Sequence, residues 1–226
     1  MVILNILVEG QTEAKFVKEV LKPHLNPQGI YPKPYLVTTD RSQNICGGSA
    51  NYAKIKNEIN RLWREKNSQP VMLTTMFDLY GLPTGFPNFD QANKLSDPYL
   101  KVKYLEDSFA GDIDDHRFIP YIQLHEFEAL IFTDLRETYI DFPQNDQYKK
   151  DIDRLFVECN RKYPSPELIN ENIATTPSKR LEKVIPNYKK LKTSLATQVI
   201  AKIGLVKIRE KCPHFDRWVT QLEGLT

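Results

Sequence analysis

The sequence predicts an α/β protein in which a parallel sheet of about four strands is flanked by helices and followed by a helical C-terminal lobe. Two patterns carry this prediction. In the first half of the chain, short apolar runs alternate with segments whose apolar residues recur at helical spacing. From His125 onward the strand-like runs stop and only the helical spacing continues. Strands that alternate with helices form parallel sheets with right-handed crossovers, so helices are expected on the sheet faces.

Four strands and three helices are predicted in the first half. The expected strands cover residues 2–8, 34–39, 71–77 and 118–124, and the expected helices cover residues 12–25, 49–66 and about 95–109. Ser49 is available as the N-cap of the second helix. Pro120 interrupts the fourth strand, which predicts an edge position or a bulge at that point.

The C-terminal third keeps helical spacing to its end. Apolar residues recur three and four apart at Leu181, Val184, Ile185, Tyr188, Leu195, Val199 and Ile203, and again at Phe215, Trp218, Val219 and Leu222. We therefore expect an α/β core over residues 1–135 and a helical extension over residues 136–226 that packs on this core.

Length and composition are typical of a globular protein. The chain has 226 residues and is 41% hydrophobic, which is enough for one large domain or for a compact domain with an added lobe. The three cysteines, Cys46, Cys159 and Cys212, lie far apart without histidine at zinc spacing, so neither a disulfide framework nor a Cys/His metal site is expected. The pattern at Met1 is not that of a charged and then apolar signal peptide, and no apolar run approaches the roughly 18 residues of a membrane span. A soluble cytoplasmic protein is expected.

Charge is distributed unevenly along the chain. From Lys179 to the C-terminus, eleven Lys and Arg residues stand against four Asp and Glu residues, a net charge of about +7. The whole chain carries +2, so the first 178 residues carry −5. This asymmetry suits a metal site beside a surface that binds a polyanion, and lysines on solvated helix faces are the alternative explanation.

Acidic residues follow three of the predicted strands at the point where each strand ends. Glu9 follows the first strand with Glu13 one helical turn later, and Asp78 follows the third strand. Glu126 and Glu128 follow the fourth. The carboxyl ends of parallel strands border one crevice, so these carboxylates are expected to converge. Such a set suits a hard divalent cation, Mg²⁺ or Mn²⁺, and these ions clamp phosphate oxygens.

Each acid also has a structural alternative. Glu9 and Glu13, at the start of the first helix, would interact favourably with the helix dipole and form a capping pair with Thr12. Asp78 is a residue type that begins turns. Glu126 would serve as an acid in the first turn of the next helix, and Glu128 as a surface residue. His125 lies beside them in the sequence, and both proton transfer and a structural role stay open for it.

Two segments are candidates for binding phosphate. Gly47 and Gly48 form a loop before the second helix, whose N-terminal amides suit a phosphate, with a simple turn as the alternative. In the sequence TPSKR, Ser178 is the expected N-cap, and Lys179 and Arg180 fall at the start of the helix. Positive charge there opposes the helix dipole, which indicates anion binding.

Six motifs, in order along the chain, resemble those of the bacterial family DUF4276, a member of the wider Toprim-like group. They are VEGQTE (8–13), DLYGLP (78–83), PYIQLHEFEALIF (120–132), PELIN (166–170), TPSKRLEKVIPNYKK (176–190) and IGLVKIREKCPHFDRW (203–218). Together they extend the resemblance over nearly the whole chain.

The resemblance implies a Toprim-like sheet. Toprim-like domains, as in topoisomerases, primases and overcoming-lysogenization-defect nucleases, have a four-stranded parallel sheet. They bind Mg²⁺ through a glutamate after the first strand and an Asp-x-Asp pair after the third. Glu9 and Asp78 stand at the corresponding positions, and Glu13 resembles the second acid of the EGxxE motif in the nuclease branch. Tyr80 stands where the second aspartate is expected.

We therefore expect a Mg²⁺- or Mn²⁺-dependent nuclease. The expected metal ligands are Glu9, Glu13 and Asp78. Because the second aspartate is absent, the number of bound metal ions, one or two, stays open. For two metals, Glu126 or Glu128 would replace the missing ligand. Alternatively, Glu126 and Glu128 would activate water as general bases. The expected catalytic residues are therefore Glu9, Asp78, Glu126 and Glu128.

The expected partners are nucleic acid and, by resemblance, an ATPase. Lys179 and Arg180 would hold the backbone of DNA or RNA. The resemblance implies a bacterial phage-defence system with an ATPase of the AAA or ABC type. Two alternatives stay open. In the first, the chain is a non-catalytic subunit that binds nucleic acid or the ATPase. In the second, it is an enzyme that hydrolyses nucleotides or transfers phosphoryl groups, because the same metal geometry serves that chemistry.

Overall fold

A computed structural model gives the fold of the chain. The structure describes residues 1–40, 45–46, 51–65, 69–141, 144–170, 172 and 174–225. The chain divides into two compact units: one comprises Met1–Gln123 and Trp218–Thr226, and the other comprises Leu124–Arg217. The predicted boundary after residue 135 stays a prediction. The predicted phosphate-binding residues Gly47 and Gly48 lie outside the described residues.

The first unit contains the parallel sheet. Its strands are β1 (Val2–Val8), β2 (Ile30–Leu36), β5 (Val71–Asp78), β6 (Phe118–Ile119) and β7 (Ile122–Gln123). The order is β2-β1-β5-β6, β7 also pairs with β5, and every pairing is parallel. A two-stranded antiparallel ribbon of β3 (Thr38–Asp40) and β4 (Ile45–Cys46) was not predicted. The predicted fold class, a parallel sheet flanked by helices, is confirmed.

Strand β2 begins four residues earlier than predicted. The observed strand includes Pro32 and Pro34, although proline removes a donor from a sheet ladder. However, β2 lies at the edge of the sheet and pairs only with β1 among the described strands. Proline is tolerated on an edge strand, and it discourages pairing with another chain.

The fourth predicted strand is interrupted at Pro120, as expected. Strands β6 and β7 flank the break, and the Thr75 side chain bridges it. Thr75 Oγ1 accepts the N–H of Tyr121 and donates to the Tyr121 carbonyl, both at 2.9 Å. Trp218 stacks on the Tyr121 ring with centroids 4.3 Å apart and donates to Thr74 Oγ1 at 2.9 Å. Side chains thus satisfy the backbone groups that the break removes from the ladder.

Replacing Thr75 by valine is expected to destabilise the protein by about 2 kcal/mol, because valine keeps the shape and leaves the buried Tyr121 N–H without an acceptor. Urea denaturation measures the change. Thr193→Val on the exposed surface of a helix is the matched control, and its effect should stay within about 0.5 kcal/mol. Equal stability of the two variants would contradict a bridging role for Thr75.

Helices cover the sheet of the first unit. They are α1 (Gln11–Phe16), a π-helical segment (Val17–Leu21), α2 (Lys22–Leu25), α3 (Tyr52–Arg64), α4 (Phe89–Ala92) and α5 (Pro98–Ile113). The predicted helix 12–25 is therefore one run with a π-helical centre. This centre ends two residues before Pro23, which has no N–H to donate to the Glu19 carbonyl. Helix α3 is capped by Asn51, whose side chain accepts the N–H of Lys54 at 3.0 Å, and not by Ser49 as expected.

The described residues of the second unit form helices joined by turns and loops, with no strand among them. Its 3₁₀ segments are Phe127–Thr133, Leu135–Asp141 and Pro166–Leu168. Its α-helices are α6 (Asp146–Lys162), which lies between the second and third of these segments, and α7 (Pro177–Val184), α8 (Tyr188–Ile203) and α9 (Leu205–Lys211), which follow them. Helix α10 (Pro213–Glu223) has residues in both units. Across the described parts of the chain, no helix is long and apolar enough to cross a membrane.

Candidate active site

The sheet register brings two of the predicted metal ligands together in the first unit. Val8 pairs with Met76, so Glu9 follows β1 at the level where β5 ends in Asp78. Glu9 Oε1 accepts the backbone N–H of Asp78 at 3.0 Å. The carboxylate of one parallel strand is thus fixed at the carboxyl end of its neighbour, where functional sites of such sheets lie.

Gly81 packs directly against the Glu9 carboxylate, and sequence reasoning missed its role. A Cβ atom at position 81 would lie 2.7 Å from one oxygen of that carboxylate and closer still to the other. Residue 81 ends the 3₁₀ turn Leu79–Gly81 that follows β5. Only glycine leaves this space free, so the glycine of DLYGLP is needed for the position of Glu9.

Glu13 is buried on the first turn of α1, with 6% of its surface exposed. A Cβ atom at Gly10 would lie 3.0 Å from its Oε2, so the carboxylate folds back toward the turn between β1 and α1. Gly10 is the N-cap of α1, and no side chain caps it. Thr12 is therefore not the N-cap residue of α1, while Glu13 lies in the first turn, where the helix-dipole alternative also places it. Glu13 stays a predicted ligand.

Glu126, in the second unit, contacts the start of α7. Its Oε2 accepts the backbone N–H of Ser178 at 2.8 Å, and its Oε1 accepts the Ser178 hydroxyl at 3.0 Å. Thr176 and not Ser178 is the N-cap of α7, because Pro177 fits the first helical position. Glu126 thus supplies negative charge to a helix N-terminus from another element.

Glu128 is wholly buried, so the alternative of a surface residue is wrong. Its Oε1 lies 2.6 Å from the Lys192 Nζ and accepts the Tyr188 hydroxyl at 3.4 Å. Among the described residues its Oε2 has no hydrogen-bond partner. Burial, and next the Glu128 charge, raise the pKa of Tyr188 well above its usual 10, so this hydroxyl stays protonated and donates. The catalytic roles of Glu126 and Glu128 stay predictions.

Lys179 and Arg180 have different surroundings. Lys179 is half-buried, and its Nζ donates to Glu182 at 3.0 Å. Arg180 is buried, with its Nε donating to the Thr175 carbonyl at 2.9 Å and its Nη2 to the Tyr163 hydroxyl at 3.3 Å. Arg180 thereby ties α7 to the segment before it. Substrate binding by both residues stays a prediction.

His125 has a left-handed backbone with φ of 61° and is buried. This conformation is costly for a residue other than glycine and is found at turns and functional sites. It turns the chain sharply between β7 and Glu126. A role in proton transfer stays open.

The donors in the first unit suit a hard divalent cation by their chemistry. Glu9, Glu13 and Asp78 offer carboxylate oxygens, which Mg²⁺ and Mn²⁺ prefer. Of these three residues, Glu9 and Asp78 are in contact through the hydrogen bond from the Asp78 backbone N–H to Glu9 Oε1. However, no group of three or more His, Cys, Asp or Glu residues is arranged to hold a metal ion within the described ranges.

Sequence reasoning also missed Glu167. This carboxylate is fully buried and accepts the backbone N–H groups of His214 at 3.1 Å and Phe215 at 2.8 Å. It caps the start of α10, where negative charge is favourable. The glutamate of PELIN carried no signal for this role, because its partners lie 47 and 48 residues away in the sequence.

A parallel sheet with carboxylates at the ends of neighbouring strands defines the class of this protein: an α/β protein with a candidate active site at the carboxyl edge of its sheet. The chain belongs to the family DUF4276, a domain of unknown function, whose model matches residues 8–223. The family expected from the six motifs is therefore confirmed.

Two solved structures are similar to this chain over almost its whole length. One is the C-terminal region of the Burkholderia pseudomallei OLD protein, with 14% sequence identity, a TM-score of 0.45 and coverage of 97% of this chain and 96% of that chain. The other is the C-terminal region of the Xanthomonas campestris pv. campestris OLD protein, with 13% identity, a TM-score of 0.38 and 96% of both chains covered. No curated protein matches the sequence.

Proposed function

We propose that this protein hydrolyses phosphodiester bonds of nucleic acid with Mg²⁺ or Mn²⁺. The observation that carries the proposal is the contact between Glu9 and the Asp78 backbone at the carboxyl ends of β1 and β5. A carboxylate oriented by a backbone N–H is held in one geometry, as a ligand must be. Glu9, Asp78 and Glu13 would hold the cation.

The roles of the side chains follow from their chemistry. When bound, the divalent cation would polarise the phosphate and stabilise the charge that develops in the displacement. Glu9 Oε1 is oriented by the Asp78 N–H, while Gly81 leaves room for the carboxylate. Lys179, half-buried beside Glu182, would contact a backbone phosphate as a point charge. Arg180 would support this contact by fixing the start of α7.

We further propose that the activity serves bacterial phage defence together with an ATPase of the AAA or ABC type. This setting follows from the resemblance of the motifs to Toprim-like nucleases. The basic charge of the segment from Lys179 onward, about +7 in the sequence, is consistent with a polyanionic substrate.

A second candidate is a non-catalytic subunit that binds nucleic acid or the ATPase. The observation that favours it is the structural use of both glutamates of LHEFEAL. Glu126 is bound to Ser178, and Glu128 is paired with Lys192. In this alternative the acids stabilise the fold, and nucleic acid binding survives their neutralisation.

A cleavage assay separates the two candidates. Labelled single- and double-stranded DNA and RNA are incubated with Mg²⁺ or Mn²⁺ and with the wild type, Glu9→Gln or Glu19→Gln. Glutamine keeps an oxygen that accepts the Asp78 N–H, so Glu9→Gln should lose cleavage with its melting temperature almost unchanged. Glu19 is an exposed glutamate on the helical run that follows Glu9, and Glu19→Gln should cleave like the wild type. Cleavage that survives in Glu9→Gln would refute the proposal.

A further inference from the structure

A cavity lies in the loop that directly follows the Asp78–Gly81 turn. It is open to solvent, has a volume of about 370 Å³, and is lined by the Leu82–Gln91 segment, including Thr84, Phe86, Asn88, Phe89 and Asp90. The lining combines aromatic rings with amide and hydroxyl groups. It contains no lysine or arginine and one carboxylate, Asp90, so a phosphate is disfavoured and a neutral polar ring is favoured.

The loop is held in place by its own residues. Phe86 is buried and makes edge-on contacts with Tyr52 and Phe109, at centroid distances of 5.4 Å and 5.1 Å. The Thr84 carbonyl accepts the Tyr52 N–H at 3.4 Å at the start of α3. A loop anchored on both an aromatic cluster and a helix keeps its cavity preformed, which lowers the entropic cost of binding.

An exposed aromatic ring stands between this cavity and the candidate metal ligands in the sequence. Tyr80 is 47% exposed, whereas its neighbour Leu79 is buried. The turn is fixed on both sides of Tyr80 by one carboxylate: Glu9 accepts the N–H of Asp78 and packs against Gly81. An exposed ring on a rigid turn is suited to stacking.

We infer that the Leu82–Gln91 loop and the Tyr80 ring form a binding site for a nucleobase beside the proposed metal ligands. This inference rests on the proposed function and names what the site would recognise next to the phosphate. The base stacks on Tyr80 or Phe89, and its edge bonds to the polar groups of the loop. Such stacking is tolerant of sequence, because every base has a π-face. The same chemistry would recognise a base in a strand or in a free nucleotide.

The test measures binding without divalent metal, so that cleavage does not interfere. Fluorescence anisotropy in EDTA gives the Kd of a single-stranded oligonucleotide and of an abasic strand with the same phosphates. The variants Tyr80→Leu and Phe89→Leu keep apolar bulk and remove the π-face. The matched control is Tyr31→Leu. Tyr31 is 37% exposed near the start of β2, at the amino end of the sheet, opposite the edge that carries Glu9.

At least one of the two variants at the site should bind the base-containing strand about tenfold more weakly than the wild type, and both should bind the abasic strand equally well. Tyr31→Leu should behave like the wild type with both strands. Competition by a nucleoside monophosphate would support the site and identify free nucleotides as a source of the base. Unchanged affinity of both variants for the base-containing strand would overturn the base site and leave the nuclease proposal standing. Equal affinity of the wild type for the two strands would also overturn the base site, while the cleavage assay decides the proposed function separately.

Discussion

Replacing Gly81 by alanine is expected to reduce the proposed nucleic-acid cleavage by about 10- to 100-fold without changing any acidic residue. The new methyl group would occupy the position of the Glu9 carboxylate, which is the flexible end of a side chain and therefore moves away. Glu9 then loses its bond to the Asp78 N–H. Cleavage rates at saturating Mg²⁺ or Mn²⁺ measure the effect on the site.

The same substitution should change stability little. Loss of one hydrogen bond costs about 1 kcal/mol, and alanine recovers part of this by restricting the unfolded chain. Gly111→Ala is the matched control, because a Cβ atom there meets nothing within 4 Å and the residue lies in helix α5. This control should keep full activity. A Gly81→Ala enzyme as active as Gly111→Ala would show that the position of Glu9 does not matter for the reaction.

Replacing Lys192 by methionine is expected to destabilise the protein by about 3 kcal/mol. The change leaves the wholly buried Glu128 without its cation, and an uncompensated buried charge costs 3–5 kcal/mol in typical cases. The lower end applies because the Lys192 side chain is 37% exposed and water reaches its ammonium group. Denaturant unfolding monitored by circular dichroism measures the loss.

Two further variants separate the pair from its surroundings. Glu128→Gln should cost less than Lys192→Met, because a half-exposed ammonium group is hydrated once its partner is removed. The double variant Glu128→Gln/Lys192→Met should be more stable than Lys192→Met alone, since no charge then stays buried. Lys190→Met, an exposed lysine on the same helix, is the control and should change stability by less than about 0.5 kcal/mol. Equal effects of Lys192→Met and Lys190→Met would rule out a stabilising buried pair.

Local patterns predicted the sheet well. Strand β1 was predicted with its observed bounds, and β5 differs only by including Asp78. The break at Pro120 was also foreseen, because proline acts on its own backbone. The start of β2 was predicted four residues too late, and Pro32 and Pro34 are tolerated in the observed strand because it lies at the edge of the sheet. Whether a strand is central or at an edge depends on the partners that it meets.

The candidate site was predicted in part. The glutamate after β1 and the aspartate after β5 were found, because the ends of parallel strands meet at one edge. Gly81 was noted only as part of the motif DLYGLP. Its function depends on a carboxylate 72 positions earlier in the chain.

Long-range polar contacts left no local signal. Glu126 binds Ser178 from 52 residues away, and Glu167 binds the start of α10 from 47 and 48 residues away. The N-cap of α7 was expected at Ser178 because serine is a frequent cap. Thr176 takes the position, since Pro177 is better accommodated as the first helical residue.

Glu9, Glu13 and Asp78 are proposed to form a divalent-metal site at the carboxyl edge of the sheet. Calorimetric titration of Mg²⁺ and Mn²⁺ into the wild type and into Asp78→Asn tests it most directly. We expect binding by the wild type that is lost in the variant, with the melting temperature of the metal-free proteins almost equal. Absence of binding in the wild type, or equal binding by Asp78→Asn, would contradict the claim and favour the non-catalytic subunit.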